Sequence, residues 1–284
     1  MKYKLMCTDM DGTLLNGNHE ISRESIEVIK KAHDKGVKIA VCTGRLHSSA
    51  FYFANLLGIN APVISSNGAF IREKDRDKVI YKKTIDKNSL QEILKVCKEY
   101  NLNPYFHTPN RVMGEKEMHS AKIYMDFNKH LPKEEKIHID IIKEDQWDEI
   151  FEKYKHEIVK AIVIEDKNSK ALKDAKDKLK KVEQLEVVSS MSNNFEIMNR
   201  EVSKGRAVET LAKYYNISKD EIICIGDNEN DISMIKYAGL GIAMENGCDE
   251  IKKVAQYITD TNINDGVAKV IKKFILNSKA YENK

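Results

Sequence analysis

The stretch that decides the fold of this chain is DMDGT, residues 9–13, which follows the apolar run 3–7. Side chains of an extended strand alternate between its two faces, so Asp9 and Asp11 project to the same side and can face one pocket. Gly12 then lets the backbone turn away sharply. Two carboxylates this close repel each other, which raises the proton affinity of one of them unless a cation compensates. The pair therefore predicts a site in which one acid stays ionised, as a nucleophile or metal ligand, while the other holds a proton.

The composition is typical of a soluble globular protein. The 284 residues carry a formal net charge of only +3, with Lys spread among Glu and Asp, and the five cysteines form no C-x-x-C pair. No Arg-rich stripe or aromatic platform indicates a nucleic-acid partner. The chain enters its first predicted strand directly, and no apolar run approaches the length of a membrane span or a signal core. We therefore expect a cytoplasmic protein with no membrane or nucleic-acid partner, and a monomer as the default state.

Short apolar runs alternate with longer amphipathic ones in both flanks of the chain, which indicates a parallel sheet with crossover helices. Ser22 and Gly36 bound the first predicted helix. The predicted core strands cover residues 4–9, 37–42, 62–65, 222–225 and 240–243. If the later strands lie on the far side of the first, the chain reverses beside it, and ligands bind at that switch point. The predicted fold class is α/β, with a doubly wound, Rossmann-like parallel-sheet core.

The middle of the chain has a different pattern. A helix near residues 89–100 is followed by short strand candidates and then by a Lys-rich helix near 169–181. Because this mixed segment follows three βα units and precedes the next, it is typical of an inserted domain with its own small sheet. We predict a discontinuous core of residues 1–84 and 189–284 and an inserted α/β cap of residues 85–188.

Further polar residues follow the other core strands. Thr43 and Gly44 come after the second strand, at a loop-to-helix junction where a hydroxyl and backbone N–H groups suit a phosphate oxygen. Lys204 opens a later helix and adds a mobile positive charge. Asp227 follows an apolar strand, where acidic residues are costly without a cation or strong hydrogen bonds. With Asp9 and a backbone carbonyl, Asp227 offers the hard oxygen ligands that Mg²⁺ prefers.

In order and spacing, these motifs resemble those of the haloacid dehalogenase superfamily of phosphohydrolases, specifically the Cof-type branch with a large C2-type cap between its second and third motifs. The matching segments are residues 9–13, Thr43-Gly44-Arg45, Lys204-Gly205, and Gly226, Asp227, Asn230 and Asp231. Residues 66–69, 241–244 and 265–267 add supporting matches. One departure is Glu245, where many relatives carry Gly.

The resemblance implies a Mg²⁺-dependent phosphatase that works through an aspartyl-phosphate intermediate. Asp9 attacks the phosphorus in line. Asp11 protonates the leaving alkoxide and then deprotonates the attacking water, a role for which a raised proton affinity is useful. Mg²⁺ is held by Asp9, the Asp11 carbonyl and Asp227, and offsets the repulsion between a carboxylate and a phosphate dianion.

The resemblance also implies supporting roles. The phosphoryl oxygens are cradled by the backbone of Met10 and by Thr43, Gly44, Lys204 and Asn230. Asn228 reaches the metal through water, and Asp231 positions Lys204 or the metal shell. Asn67, in a turn near the end of the third strand, is placed to contact substrate or cap. His47, in contrast, is expected on a helix surface.

The predicted function is the hydrolysis of small phosphorylated metabolites. Sugar phosphates are favoured, with flavin mononucleotide and pyridoxal phosphate as other candidates. Two alternatives stay open: a phosphomutase, which shares the aspartyl-phosphate step, and a non-catalytic sensor of a phosphorylated metabolite. A sensor need not keep both a nucleophile and a proton shuttle. The cap is expected to exclude water and to select the substrate.

Overall fold

The computed structural model describes residues 2–73, 78–118 and 120–277, and within them the chain forms two β-sheets flanked by helices. The strands are β1 (Leu5–Thr8), β2 (Lys38–Cys42), β3 (Val63–Ser65), β4 (Phe70–Arg72), β5 (Val79–Lys82), β6 (Pro104–Thr108), β7 (Arg111–Gly114), β8 (His138–Ile141), β9 (Lys160–Ile164), β10 (Leu185–Val188), β11 (Asn194–Asn199), β12 (Ile222–Gly226), β13 (Leu240–Ala243) and β14 (Tyr257–Ile258). The helices are α1 (Arg23–Asp34), α2 (His47–Leu56), α3 (Lys87–Glu99), α4 (Ala121–Asn128), α5 (Trp147–Lys153), α6 (Ser169–Leu179), α7 (Lys204–Tyr214), α8 (Ile232–Tyr237), α9 (Asp249–Val254) and α10 (Gly266–Val270). None of the helices in the described ranges has the length and apolar character needed to cross a membrane.

The first sheet has the doubly wound topology that the sequence predicts. Within the described residues its strand order is β14-β13-β12-β1-β2-β3-β4-β5. β1 runs parallel to β12 on one side and to β2 on the other, with Leu5 opposite Ile222 and Lys38. The predicted fold class is therefore confirmed, and the chain reverses direction beside β1. β4 and β5 add an antiparallel edge, and residues 74–77 of their predicted turn lie outside the described ranges.

The hydrophobic pattern explains why this sheet forms. Every residue of β1 and β12 is buried, as expected for parallel strands covered by helices on both faces. One face packs against α1, α2 and α10, and the other against α7, α8 and α9. Helix α1 begins where predicted, because Ser22 is its N-cap and Ser22 Oγ accepts a hydrogen bond from Ser25 N at 3.0 Å.

The residues between β5 and α7 form the second sheet, in the order β10-β11-β9-β6-β7-β8. We call residues 83–203 the inserted segment. Strand alternation gives this sheet two different faces. Phe106, Ala161 and Phe195 pack on one face with α3, α5 and α6. On the other face, Ile162 packs towards α4 and towards Leu46 of the core.

The second sheet extends further along the chain than predicted. β11 pairs with both β9 and β10, so residues 194–199 belong to this sheet and the predicted boundary at residue 188 is too early. Glu196 interrupts the apolar pattern of β11, which hides this strand in the sequence. The chain passes between the two sheets at two points that lie side by side. Asn199 Nδ2, at one of them, donates a hydrogen bond to Thr84 O, at the other, at 3.2 Å.

Candidate active site

Three of the predicted site segments meet at the carboxyl edge of the first sheet. β1 runs parallel to β2 and β12, so the residues that follow these strands leave the sheet at the same edge. Asp9 follows β1, Thr43 follows β2 and Asp227 follows β12. All three line a cavity of about 500 Å³ between this edge and the second sheet. A cavity of this volume is typical of a small-molecule site.

Lys204 joins two carboxylates at this edge. Its Nζ lies 2.6 Å from Asp9 Oδ1 and 2.5 Å from Asp231 Oδ1, and its side chain is fully buried. Lys204 is the first residue of α7. At Gly205, a Cβ would lie only 2.5 Å from Ser233 O of α8. The glycine therefore allows the close approach of α7 to α8 that brings Lys204 to the strand ends.

Burial controls the electrostatics of this cluster. Removal from water raises the pKa of Asp9 well above its ordinary value; Lys204 lowers it in part, while Asp231 raises it further. Burial, followed by the charge of Asp231, also raises the pKa of Asp227 to about 7. Burial disfavours the charged form of Lys204, but the carboxylates of Asp231 and Asp9 outweigh it and raise its pKa. The site therefore concentrates negative charge that a further cation would relieve.

Asp11 differs from the sequence prediction. Arg45 holds it with two hydrogen bonds, Nε to Oδ2 at 2.7 Å and Nη2 to Oδ1 at 2.6 Å. Burial alone would raise the pKa of Asp11, but the hydrogen bonds and charge of Arg45 outweigh it, so the pKa lies below its ordinary value. The prediction of a raised proton affinity is therefore wrong for Asp11, and it is the pKa of Asp9 that is raised. Sequence reasoning assigned no role to Arg45, although it stands inside the second motif.

The acidic loop after β12 is held by its own side chains. Asp231 Oδ2 accepts hydrogen bonds from Asp227 N at 3.0 Å and from Asn228 N at 3.1 Å. Since its other oxygen contacts Lys204, Asp231 both shapes the loop and positions the lysine. Asn228 Nδ2 donates to Ser190 O at 2.9 Å, which ties the loop to the inserted segment. Its water-mediated contact with a metal stays a prediction.

The carboxylates of this cluster fit a divalent cation. Asp9, Asp227 and Asp231 each offer an oxygen within 4.8 Å of the others. Thr13 Oγ1 donates to Asp227 Oδ1 at 2.7 Å, and Lys204 Nζ donates to Asp9 Oδ1. The other oxygens of these carboxylates, Asp9 Oδ2 and Asp227 Oδ2, have no hydrogen-bond partner within the described residues. Gly12 has φ of 79°, and a Cβ there would lie 2.5 Å from Asp227 Oδ2. Hard, buried carboxylate oxygens with space beside them are the donor set that suits Mg²⁺.

The predicted phosphate-binding residues surround the same edge. Thr43, Gly44 and Asn230 line the cavity. Met10 is fully buried, with its side chain in the core, so the contact of its backbone with a phosphoryl group stays a prediction. Thr43 Oγ1 accepts a hydrogen bond from Arg45 N at 3.2 Å, which leaves its own hydrogen to be donated elsewhere.

Asn67 contacts the inserted segment. It has φ of 55°, in the left-handed region that Asn tolerates in turns. Its Nδ2 donates to Glu196 Oε2 at 2.9 Å, and its Oδ1 accepts from Asn230 Nδ2 at 3.1 Å. Asn67 thus connects a predicted phosphate-binding residue to the second sheet.

Sequence reasoning missed the polar residues that the second sheet directs at the site. Lys160 Nζ donates to Gly44 O and, at 2.7 Å, to Glu196 Oε2, and both charged side chains are buried. Lys160 interrupts the apolar run 158–164, and Glu196 interrupts β11. These charged residues within apolar runs are the signal that could have found them. His47 was also misjudged: it is buried, not on a helix surface, and burial followed by the charge of Arg72 lowers its pKa to about 3.

A family model of haloacid dehalogenase-like hydrolases matches residues 6–271. The chain therefore belongs to this family of hydrolases. The resemblance carried by the four motifs and the expectation of an enzyme are both confirmed.

Similar proteins are named as phosphatases. The chain is 31% identical to 5-amino-6-(5-phospho-D-ribitylamino)uracil phosphatase YcsE of Bacillus subtilis, over 96% of each chain. It is 33% identical to a second B. subtilis phosphatase of the same name, YwtE, over 93% of this chain and 96% of that one. A solved haloacid dehalogenase-like hydrolase from B. subtilis superposes with a TM-score of 0.82 at 30% identity, over 95% of this chain and 99% of the other.

Proposed function

We propose that this phosphatase hydrolyses phosphate monoesters of small metabolites through a phosphorylated Asp9, with Mg²⁺ as its cofactor. The observation that carries the proposal is the position of Asp9, at the end of the central strand, in contact with a fully buried Lys204 and beside two further carboxylates. A buried cation beside a carboxylate suits a reaction in which two negatively charged groups must meet.

The first step transfers the phosphoryl group to the enzyme. One Asp9 oxygen forms a bond to phosphorus while the ester P–O bond breaks, and Asp11 gives a proton to the leaving alkoxide. In the second step Asp11 takes a proton from water, the water oxygen attacks phosphorus, and the Asp9–phosphorus bond breaks to release inorganic phosphate. Because Arg45 stabilises the ionised form of Asp11, Asp11 must leave Arg45 before it can act as the acid.

The remaining roles follow from the arrangement around Asp9. Asp9, Asp227 and the Asp11 carbonyl would hold Mg²⁺, which supplies positive charge to offset that of the phosphoryl group. The residues of the predicted cradle bind the phosphoryl oxygens: the Met10 backbone, Thr43, Gly44, Lys204 and Asn230. Sugar phosphates stay the predicted substrates, and the cytoplasmic location and monomeric state stay predictions.

The test is hydrolysis of p-nitrophenyl phosphate in Mg²⁺ and in EDTA. We expect metal-dependent release of phosphate, and a loss of at least about a thousandfold in kcat for Asp9→Asn. Asp11→Asn should lose about 10²–10⁴-fold in kcat while still binding phosphate. Asp34→Asn, an exposed acid at the end of α1, is the matched control and should behave like the wild type.

Acid-quenched wild-type enzyme should carry a phosphoryl group on Asp9, detected by mass spectrometry of its peptides. Activity in EDTA equal to that in Mg²⁺, or an Asp9→Asn variant with near wild-type turnover, would contradict the proposal. Turnover of sugar phosphates to isomers without phosphate release would favour the phosphomutase instead.

A further inference from the structure

A chain of buried polar side chains runs from the second sheet to the predicted phosphate cradle. It consists of Glu196 of β11, Asn67 after β3 and Asn230 after β12, and we call these three residues the relay. Glu196 Oε2 accepts a hydrogen bond from Asn67 Nδ2 at 2.9 Å. Asn67 Oδ1 accepts in turn from Asn230 Nδ2 at 3.1 Å. The relay therefore connects the inserted segment to a residue that lines the cavity at the strand ends.

The chemistry of Glu196 sets the direction of the relay. Burial would raise the pKa of Glu196, but the charge and hydrogen bond of Lys160 outweigh it and hold the pKa below its ordinary value, so the side chain is ionised. A carboxylate only accepts hydrogen bonds, so Asn67 must turn its Nδ2 group towards it. Asn67 Nδ2 also lies 3.6 Å from Met198 Sδ, a second group that can only accept. Both contacts leave Oδ1 of Asn67 to face Asn230.

The acceptor on Asn67 fixes the amide of Asn230 in the same way. Because Asn67 presents Oδ1, Asn230 must present Nδ2, and this contact uses one of its two N–H groups. The other N–H has no partner among the described residues, and Asn230 lines the cavity. Phosphoryl oxygens accept hydrogen bonds, so an N–H group held at this place suits them, whereas a carbonyl oxygen there would repel them.

Asn67 acts on other side chains and not on a ligand. It is not among the described residues that line the cavity. Its backbone is held by the second motif, because Asn67 N donates to Thr43 O at 3.0 Å. Gly44 leaves room for the relay, since a Cβ there would lie 3.0 Å from both Asn67 Oδ1 and Glu196 Oε2.

Glu196 is likewise unsuited to bind a phosphoryl group itself. Both of its oxygens are in use: Oε1 accepts from Ser190 Oγ, and Oε2 accepts from Lys160 Nζ and Asn67 Nδ2. The Lys160 ammonium, 2.7 Å away, offsets a charge that would otherwise repel a phosphate dianion. The buried ion pair is therefore placed to hold the relay.

We propose that Glu196 is a positioning residue for phosphoryl binding, which acts through Asn67 to turn the amide of Asn230 so that an N–H group, and not the carbonyl oxygen, faces a phosphoryl oxygen of the substrate. Glu196 lies in the inserted segment, whereas Asn67 and Asn230 lie outside it. The phosphate cradle is therefore complete only when the two sheets face each other across the cavity. This inference rests on the proposed phosphatase function, in which Asn230 belongs to the cradle.

The first experiment measures the dissociation constant of inorganic phosphate by calorimetry in Mg²⁺, together with kcat/KM for p-nitrophenyl phosphate. Asn67→Gly removes the middle of the relay and keeps a backbone that tolerates the φ of 55°. It should weaken phosphate binding at least about fivefold, which is part of the value of a hydrogen bond to a charged group. In an Asn230→Ala background the same change should have no further effect, because the relay acts through Asn230. A purely structural role of Asn67 would give additive losses.

The second experiment separates the relay from the charge of Glu196. Glu196→Gln and Glu196→Met both remove one negative charge, but only Gln keeps an oxygen that can accept from Lys160 and Asn67. Glu196→Gln should bind phosphate at least as tightly as the wild type, and Glu196→Met at least about fivefold more weakly than Glu196→Gln. If Glu196→Met does not fold, Lys160→Met/Glu196→Met removes the whole ion pair and should show the same loss. Ser190→Ala removes a contact with the other oxygen of Glu196, so it is the matched control and should bind phosphate like the wild type.

The outcomes separate this inference from the proposed function. If the wild type hydrolyses p-nitrophenyl phosphate in Mg²⁺ but Asn67→Gly binds phosphate equally well, the relay is wrong and the phosphatase stands. Additive losses in Asn67→Gly/Asn230→Ala, or equal affinities of Glu196→Gln and Glu196→Met, would overturn the relay as well. No metal-dependent hydrolysis of p-nitrophenyl phosphate by the wild type would overturn the proposed function and this inference together.

Discussion

Replacement of Lys204 by Met removes the only cation in contact with Asp9 among the described residues while it keeps a similar side-chain volume. At 2.5–2.6 Å and an effective dielectric constant of about 20, each of the two ion pairs is worth roughly 6 kcal/mol of attraction. Desolvation and the repulsion between the two carboxylates offset much of this. Loss of one partner from a buried ion pair costs about 3–5 kcal/mol, so we expect Lys204→Met to lose stability in that range.

Activity should fall further than stability alone predicts. Without the ammonium, the pKa of Asp9 rises above its already raised value, and a protonated Asp9 is a poor nucleophile. The substitution also removes the charged donor that we propose for the phosphoryl oxygens, and such a loss lowers kcat by about 10²–10³-fold. We therefore expect kcat/KM for p-nitrophenyl phosphate to fall at least about a hundredfold under conditions where the variant is folded.

The pH dependence of unfolding separates this electrostatic account from a packing defect. A carboxyl whose folded pKa lies above its unfolded pKa binds more protons when folded, so stability falls as pH rises between the two values. The destabilisation of Lys204→Met, measured by urea unfolding in EDTA, should therefore shrink towards acid pH and grow towards neutral pH. Lys213→Met, an exposed position in the same helix, should leave stability and activity unchanged. A pH-independent loss, or a kcat/KM within about tenfold of the wild type, would refute the reasoning.

Other predictions test the surroundings of the site. His47 is neutral in the folded protein, but it gains a proton in the unfolded chain below about pH 6.5. The free energy of unfolding of the wild type should therefore fall, relative to that of His47→Gln, by up to about 1.4 kcal/mol per pH unit as the pH falls towards 3. An equal pH dependence of unfolding in the two proteins would contradict this. Gly12→Ala should cost about 1–2 kcal/mol of stability through backbone strain, and it should also lose most of the activity because the new Cβ meets Asp227. Gly36→Ala has a similar strain but no atom near the new Cβ, so it should lose stability and keep its activity. Mg²⁺ at about a hundred times its Kd should stabilise the wild type by about 2.7 kcal/mol in urea unfolding, and Asp227→Asn should lose this gain.

The sequence predicts the core well because the carboxyl ends of parallel strands all lie at the same edge of the sheet. Asp9, Thr43 and Asp227 each follow an apolar strand, and parallel pairing alone brings them to one edge. Local signals also fix the start of α1 at Ser22. These features depend on nearest neighbours along the chain or across one pair of strands.

Contacts between side chains that are far apart in the sequence cannot be predicted from these local patterns. The pKa of Asp11 depends on Arg45, and nothing in the spacing of the two residues shows that the guanidinium turns towards the carboxylate. The burial of His47 depends on packing with Phe70 and other residues outside its helix. Strand β11 was missed because Glu196, which interrupts it, is satisfied by Lys160 from another strand.

The hydrogen bond between Asn199 and Thr84 has a consequence for the history of this chain. Since the inserted segment departs and returns at neighbouring points, its removal or exchange leaves the ends of the first sheet close together, and short loops suffice to join them. The residues that we propose for phosphoryl transfer lie outside the segment, whereas Lys160 and Glu196, which line the same cavity, lie inside it. Mutation or exchange of the segment can therefore change one wall of the cavity while the residues at the strand ends stay the same.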